Sequence, residues 1–156
     1  MIPVDFLLIF PSLFMIHEME EIIFMPNFIS NQQNNESFKK INSYYTPFIF
    51  NLIVLEELLL LLITLIISCK FNNFTFYETI VIAYIYHIFL HIGQCILLKK
   101  YVPGTASGII TAIYCLAYIL LYLGNDYLLY LYSLLTLIFI ICNLIFCFKI
   151  LNYKLK

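Results

Sequence analysis

Arginine and tryptophan are missing from this 156-residue chain, and charged residues of all kinds make up only 11% of it. Soluble domains carry roughly a quarter charged residues, so a water-soluble globule is excluded. No long polar run is present from which a separate soluble unit could be built, and one domain spanning residues 1–156 is predicted. A net charge of −1 offers no electrostatic footprint for nucleic acid. The five cysteines, Cys69, Cys95, Cys115, Cys142 and Cys147, lack the close paired spacing of a zinc ribbon and lie in or beside apolar segments. They read as small apolar fillers, and disulfides are not expected of residues inside a bilayer. The first residues carry no Lys or Arg, and Pro26 stands where a small-residue cleavage motif would be needed. The first apolar segment is therefore expected to be retained rather than removed as a signal peptide.

What is present is apolar: 63% hydrophobic residues and a mean hydropathy of +0.97 mark an integral membrane protein. Five segments, at about 4–25, 47–69, 77–98, 105–123 and 127–148, have the length and composition of membrane spans. The predicted fold class is an all-α membrane protein, a compact bundle of five transmembrane helices. Pro11 is expected to kink the first span, which transmembrane helices tolerate. Residues 26–45, with Asn31, Gln32, Gln33, Asn34, Asn35 and Glu36 followed by Lys39 and Lys40, read as an exposed loop. Gly124, Asn125 and Asp126 read as a hairpin turn, and Tyr44, Tyr45, Tyr101 and Tyr127 as interfacial anchors.

Five spans place the termini on opposite sides. One side then receives Lys39, Lys40, Lys99, Lys100, Lys149, Lys154 and Lys156, the other only Lys70. The positive-inside rule predicts an outside N-terminus and a cytoplasmic C-terminus. The wealth of Ile, Asn, Phe, Tyr and Lys fits an AT-rich coding genome, and a bacterial cell membrane is the expected location.

His17, Glu18, Glu20 and Glu21 follow directly on the apolar run 6–16. A charge buried in hydrocarbon costs about 2.5–3.5 kcal/mol even on lenient insertion scales, so such a cluster needs a partner, a proton or a metal. Counting about 1.5 Å per residue from the span ends puts His17, Glu56 and His91 in one layer roughly 10–14 Å below the cytoplasmic boundary. His87 falls one turn deeper, and Glu20 and Glu21 one turn shallower. At about 100° per residue Glu21 is some 40° from His17 and Glu20 some 60° away on the other side, whereas Glu18 points further off. Tyr84, His87, His91 and Gln94 form a polar stripe on the third span. Ser107, Gly108, Thr111, Cys115 and Tyr118 form a close-packing wall on the fourth. Glu56 and Glu57 are about 100° apart, so one of them faces the layer, and depth favours Glu56.

No span contains an interior Lys or Arg to neutralise Glu18, Glu20, Glu21, Glu56 and Glu57. They must be protonated, hydrated or neutralised by a bound cation. All three histidines accompany them, and imidazole with carboxylate is a ligand set for zinc, iron, manganese or nickel. The expected cofactor is a divalent transition metal, zinc first and iron or manganese next, with His17, Glu21, Glu56 and His91 as ligands. Glu20 is the expected general base and His87 a relay or outer partner. Such a metal acidifies bound water and polarises a carbonyl or phosphoryl oxygen. A carboxylate-rich site of this kind is also compatible with two metals.

His17, Glu20 and Glu21 as H-x-x-E-E, Glu56 in the next span, the His87 and His91 pair in the third, and Pro103-Gly104-Thr105 together resemble the HXXEE membrane-protein family. The resemblance covers roughly two thirds of the chain and implies that His17, Glu20 and Glu21 belong to a shared site. The family brings no established activity. From the residues, the leading expectation is a metal-dependent, hydrolase-like intramembrane enzyme. Its partners are membrane lipid and a lipid or other apolar substrate. Two alternatives use the same groups: a proton or cation transporter, which a chain this short would need to build as an oligomer, and a metal-free proton-shuttling isomerase.

Overall fold

Helices and tight turns account for the regular structure in the computed structural model, which describes residues 4–32, 45–123 and 126–154. The helices are α1 (Val4–Ser30), α2 (Pro47–Phe71), α3 (Thr75–Leu98), α4 (Thr105–Tyr118) and α5 (Tyr127–Lys154). A π-helical turn, Ile119–Leu123, continues α4. No strand occurs among the described residues. The Gly124-Asn125 part of the expected hairpin turn, residues 33–44 of the expected loop, and with them Lys39, Lys40 and Tyr44, lie outside the described residues.

The boundaries follow local chemistry. Thr46 caps α2 by accepting a hydrogen bond from the Ile49 N–H at 3.2 Å, with Pro47 in the first turn where its missing N–H costs nothing. Asn72 and Lys99 end α2 and α3 in the left-handed region, at φ 48° and 50°, each returning its N–H to the last turn of its helix. Asp126 caps α5, its carboxylate accepting from Leu128 N and Leu129 N at 3.0 and 3.3 Å.

The loop expected from residue 26 begins later: α1 runs through both Pro11 and Pro26 to Ser30. A proline removes one backbone hydrogen bond, and here the last turn is held by the burial of Ile29 and by the bonds Asn31 N to Asn27 O and Gln32 N to Ile29 O. The five-span expectation is also refined. α2, α3, α5 and α4 with its π turn are long and apolar enough to cross a membrane. α1 has the length, but Glu18, Glu20 and Glu21 fall within every 18-residue stretch of it, and it is not among the four.

α3 is the central element and packs on α2, α4 and α5, while α1 packs on α2 and α4. Tyr77, Val81, Ile82, Ile85 and Ile88 of α3 are buried. The outward faces are apolar as well, with Phe48, Ile66, Phe89, Ile110 and Phe139 all exposed. Water would not tolerate such a surface, and hydrocarbon does. Between helices in lipid, close packing and hydrogen bonds rather than hydrophobic exclusion hold the bundle. The α4 face of Gly108, Thr111, Cys115 and Tyr118 is buried as the small-residue wall requires, with Ser107 at its partly exposed edge.

α1 runs parallel to α3 at a constant offset. The Tyr77 hydroxyl donates to the Leu7 carbonyl at 3.3 Å, and ten residues further along both helices His17 Nε2 is 3.3 Å from His87 Nε2. Between these two points Phe10 and Phe14 meet the edge of Tyr84 at ring separations of 5.4 and 6.5 Å. This register brings the polar residues of α1 beside those of α3.

Candidate metal centre

His17 is fully buried, and its two ring nitrogens have different surroundings. Nδ1 lies 2.9 Å from the carbonyl oxygen of Gly104. A carbonyl only accepts, so Nδ1 carries the proton and the neutral ring presents Nε2 as a bare lone pair. The Tyr84 ring packs edge-on against His17 at 5.5 Å and fixes its plane. Tyr84 is itself held by a 2.6 Å hydrogen bond to Thr111 Oγ1. Thr111 donates to backbone carbonyls of α4, so Tyr84 is the donor in that pair.

The lone pair of His17 points at two more histidines. His87 Nε2 is 3.3 Å from His17 Nε2 and 2.9 Å from His91 Nε2. Glu21 Oε1 lies 2.9 Å from His91 Nε2 and 3.6 Å from His17 Nε2. Despite the 2.9 Å approach it has no hydrogen-bond partner among the described residues. One ligand atom from each of His17, Glu21, His87 and His91 thus falls within 4.8 Å of the others, an arrangement able to hold a metal ion. Donors about 2.0–2.1 Å from a tetrahedral ion stand about 3.3 Å apart. The four separations above bracket that value.

Without a cation the cluster is frustrated. A single proton on His87 Nε2 can be directed at His17 or at His91 but not both, and Glu21 Oε1 remains an unpaired acceptor. Buried acceptors left facing one another are costly.

The turn before α4 closes over this group. Gly104 has φ +88°, and a Cβ there would stand 2.6 Å from Glu21 Oε1 and 2.8 Å from His17 Cε1. Glycine is required both by the left-handed backbone and by the approach of the main chain to the site. A Cβ on Gly108 would lie 3.1 Å from His17 Nδ1 and 2.6 Å from Ile88 Cδ1. No side chain of its own caps α4, and Glu20 supplies that function from α1. Glu20 Oε2 accepts from Ser107 N at 2.8 Å, and Oε1 accepts from the Tyr101 hydroxyl. A carboxylate at a helix N-terminus is favourable both as a hydrogen-bond acceptor and as a charge. Burial, with the Glu20 bond second, pushes the Tyr101 hydroxyl above its ordinary pKa, so it remains a donor.

The residues singled out in the sequence are therefore divided. His17, Glu21 and His91 are together, and His87, expected one turn deeper, joins them. Glu20 packs against α4 rather than the histidines. Glu56 stands elsewhere, its carboxylate oxygens accepting from Asn143 Nδ2 of α5 at 3.2 and 3.1 Å. Its neighbour Glu57 has Oε1 buried without a hydrogen-bond partner among the described residues. Glu18, expected to point away, is 5% exposed and brings Oε1 to 3.9 Å from His17 Nε2. Gln94 of the polar stripe is exposed.

The chain matches the family model described as "Protein of unknown function with HXXEE motif" over residues 8–119. It belongs to the HXXEE family. His17, Glu20 and Glu21 are the H, first E and second E of that motif. In the structure the first E caps a helix, while the H and the second E face the histidines. The matched HXXEE region ends at the π turn and contains every residue of the four-donor group, whereas Asn143, the partner of Glu56, lies beyond it. No curated protein and no solved structure matches the chain.

Two residues, Tyr45 and Gly108, have surroundings that the sequence reading does not give, and a third, Glu78, has no role in it. Tyr45, expected as an anchor, packs on Phe50 and Phe148 and has a buried hydroxyl without a partner among the described residues. Burial, with the Glu21 charge second, pushes its pKa up to about 12, so it is a proton donor at neutral pH. Gly108 was read only as packing. Glu78, at the far end of α3, is buried and accepts from the Tyr118 hydroxyl at 2.9 Å. A glutamate in the first turn of an otherwise apolar span was the available signal.

Proposed function

We propose that this HXXEE chain is a metal-dependent intramembrane enzyme of hydrolase type, acting on a lipid or another apolar substrate. Its metal ligands are His17, Glu21, His87 and His91. The observation that carries this reading is the convergence of three imidazole Nε2 atoms and one carboxylate oxygen, with the His17 tautomer set by Gly104. Ligating histidines commonly give their other ring N–H to a carbonyl, and His17 does so here.

Imidazole and carboxylate donors suit zinc, iron and manganese. Four protein donors fill a tetrahedral ion, so an open position for water favours an ion that accepts five or six ligands. Iron and manganese therefore stand level with zinc. Such an ion supplies Lewis acidity toward a carbonyl or phosphoryl oxygen and an acidified water. The protein's part is to hold the donors rigid. Tyr84 and Gly104 fix His17, Glu20 docks the α4 turn over the site, and Tyr45 offers a free hydroxyl toward a substrate oxygen.

The lysine distribution supports a cytoplasmic face for this end of the bundle, with the site reached from that leaflet or from the surrounding lipid. Reconstitution into liposomes of bacterial phospholipid, with ester and phosphoester products followed by mass spectrometry, tests the activity. Hydrolysis should require added metal, stop on chelation and be lost in Glu21→Gln. Turnover that survives exhaustive chelation, or that Glu21→Gln leaves intact, would rule out the metal-dependent mechanism.

A further inference from the structure

Where α3 ends and α4 begins, an open groove of about 560 Å³ lies apart from the four donors. Ile96 of α3 and Ile109 of α4 give it apolar sides, and Lys99 and Lys100 line it with two ammonium groups. Both helices are long and apolar enough to cross a membrane, so their junction falls at the depth of the lipid head groups. The groove is built rather than loose. Val102 N donates to Cys95 Sγ at 3.2 Å, and the Thr105 hydroxyl donates to the Val102 carbonyl at 2.7 Å. Ala106 N donates to the Tyr101 hydroxyl at 3.3 Å, and that hydroxyl donates to Glu20 of α1. Lys99 is held at φ 50°, with its N–H returned to the Ile96 carbonyl at 3.4 Å. Lys100 Nζ donates to Oε1 of the buried Gln32 at 3.5 Å. A neutral amide orients that ammonium without neutralising it.

We propose that this groove seats one anionic phospholipid, with its phosphate at Lys99 and Lys100 and an acyl chain along Ile96 and Ile109. The seat goes beyond the metal-dependent reading and holds whether or not the four donors take up an ion. Complementary chemistry selects the occupant. Two adjacent lysines above an apolar wall match a phosphate ester that carries an acyl chain, and basic pockets between transmembrane helices hold such head groups. Ile96 and Ile109 are exposed, and a hydrocarbon chain covers them as water would not. A zwitterionic lipid brings its own ammonium toward the two lysines, so a head group of net negative charge, as in phosphatidylglycerol, is favoured. The turn that lines the groove through Tyr101 and Thr105 also sets Gly104 against His17 and Glu21. The lipid seat and the four-donor group therefore share one wall.

The test titrates the full chain in detergent with phosphatidylglycerol and with phosphatidylcholine of the same acyl chains, and native mass spectrometry counts the lipid retained per chain. One lysine at an anionic lipid is worth about 5-fold in affinity, so wild type should prefer phosphatidylglycerol by about 25-fold and Lys99→Gln with Lys100→Gln should lose that preference. Lys70→Gln with Lys149→Gln removes the same charge from residues that do not line the groove and should keep it. Ile109→Trp keeps both lysines, fills the groove and should weaken retention of phosphatidylglycerol. Thermal melts verify the folding of every variant. Equal retention of the two lipids by wild type overturns the seat, as does a preference that survives either the Lys99 and Lys100 replacements or Ile109→Trp. A preference lost equally in the Lys70 and Lys149 variant belongs to net charge and overturns it too. Displacement of the lipid by inorganic phosphate at matched ionic strength would put a free anion in its place and overturn the lipid.

Discussion

Replacing Gly104 with alanine adds one methyl group at the place where the backbone touches the site. The new Cβ would meet Glu21 Oε1 at 2.6 Å, His17 Cε1 at 2.8 Å and Glu21 Cγ at 2.9 Å, all closer than real Cβ contacts allow. At φ +88° the left-handed backbone adds a penalty of about 1–2 kcal/mol for a residue with a Cβ. Overpacking adds about 1–3 kcal/mol. The total, about 2–5 kcal/mol, falls on two of the proposed metal donors and on the carbonyl that orients His17. Relief by moving the turn would break the Gly104 bond to His17 Nδ1, and loss of such an orienting bond costs about 10–100-fold in metal affinity. Gly93→Ala is the control, since its Cβ would meet nothing within 4 Å. It should gain about 0.5–1 kcal/mol from helix propensity. Isothermal titration with Zn²⁺ or Mn²⁺ and thermal unfolding in one detergent compare the two. Wild-type affinity and wild-type melting of Gly104→Ala would refute the proposed closure of the turn over the site.

Other substitutions separate the roles of the carboxylates. Glu56→Gln should leave metal content unchanged and cost about 0.5–1.5 kcal/mol through the Asn143 contact, read as a lower melting temperature; metal loss in this variant would return Glu56 to the site. Glu20→Ala removes the cap of α4 and should destabilise by about 0.5–2 kcal/mol, with metal retained at lower affinity. Complete loss of metal with an unchanged melt would instead make Glu20 a ligand. Tyr45→Phe should keep full metal content but slow turnover, and equal rates would remove Tyr45 from substrate contact. Its folded pKa of about 12 lies above the ordinary 10.0, so its contribution to stability is whole below pH 10 and is lost as pH rises toward 12. Melts of wild type and Tyr45→Phe across that interval should diverge accordingly.

Much of this architecture could be read in advance because lipid imposes simple rules. α2, α3 and α5 appear as long apolar runs, and the lack of interior lysine marked the carboxylates as needing compensation. The motif and the α3 histidine pair pointed to three of the four residues that the structure brings together. What could not be read was rotation. α2 is apolar on every side, so its periodicity gives no preferred face, and depth alone selected Glu56, whose carboxylate the structure pairs with Asn143 of α5. His87 was set one turn too deep because depth was counted at Cα. Residues four apart lie on one helix face, and their side chains let the Nε2 atoms of His87 and His91 meet at 2.9 Å although the backbones are one turn apart. Glu20 lies on the correct face of α1, and only the arrival of the α4 N-terminus from a distant part of the chain shows that it is a cap. The extension of α1 beyond Pro26 likewise depends on tertiary burial of Ile29.

X-ray absorption at the edge of the bound metal, measured on wild type loaded with one equivalent and on His87→Ala, tests the central claim most directly. The expected result is a nitrogen and oxygen shell with the outer-shell signature of three imidazoles, reduced to two in His87→Ala with weakened binding. A chain that takes up no transition metal, or whose bound metal shows no imidazole scattering, would contradict it.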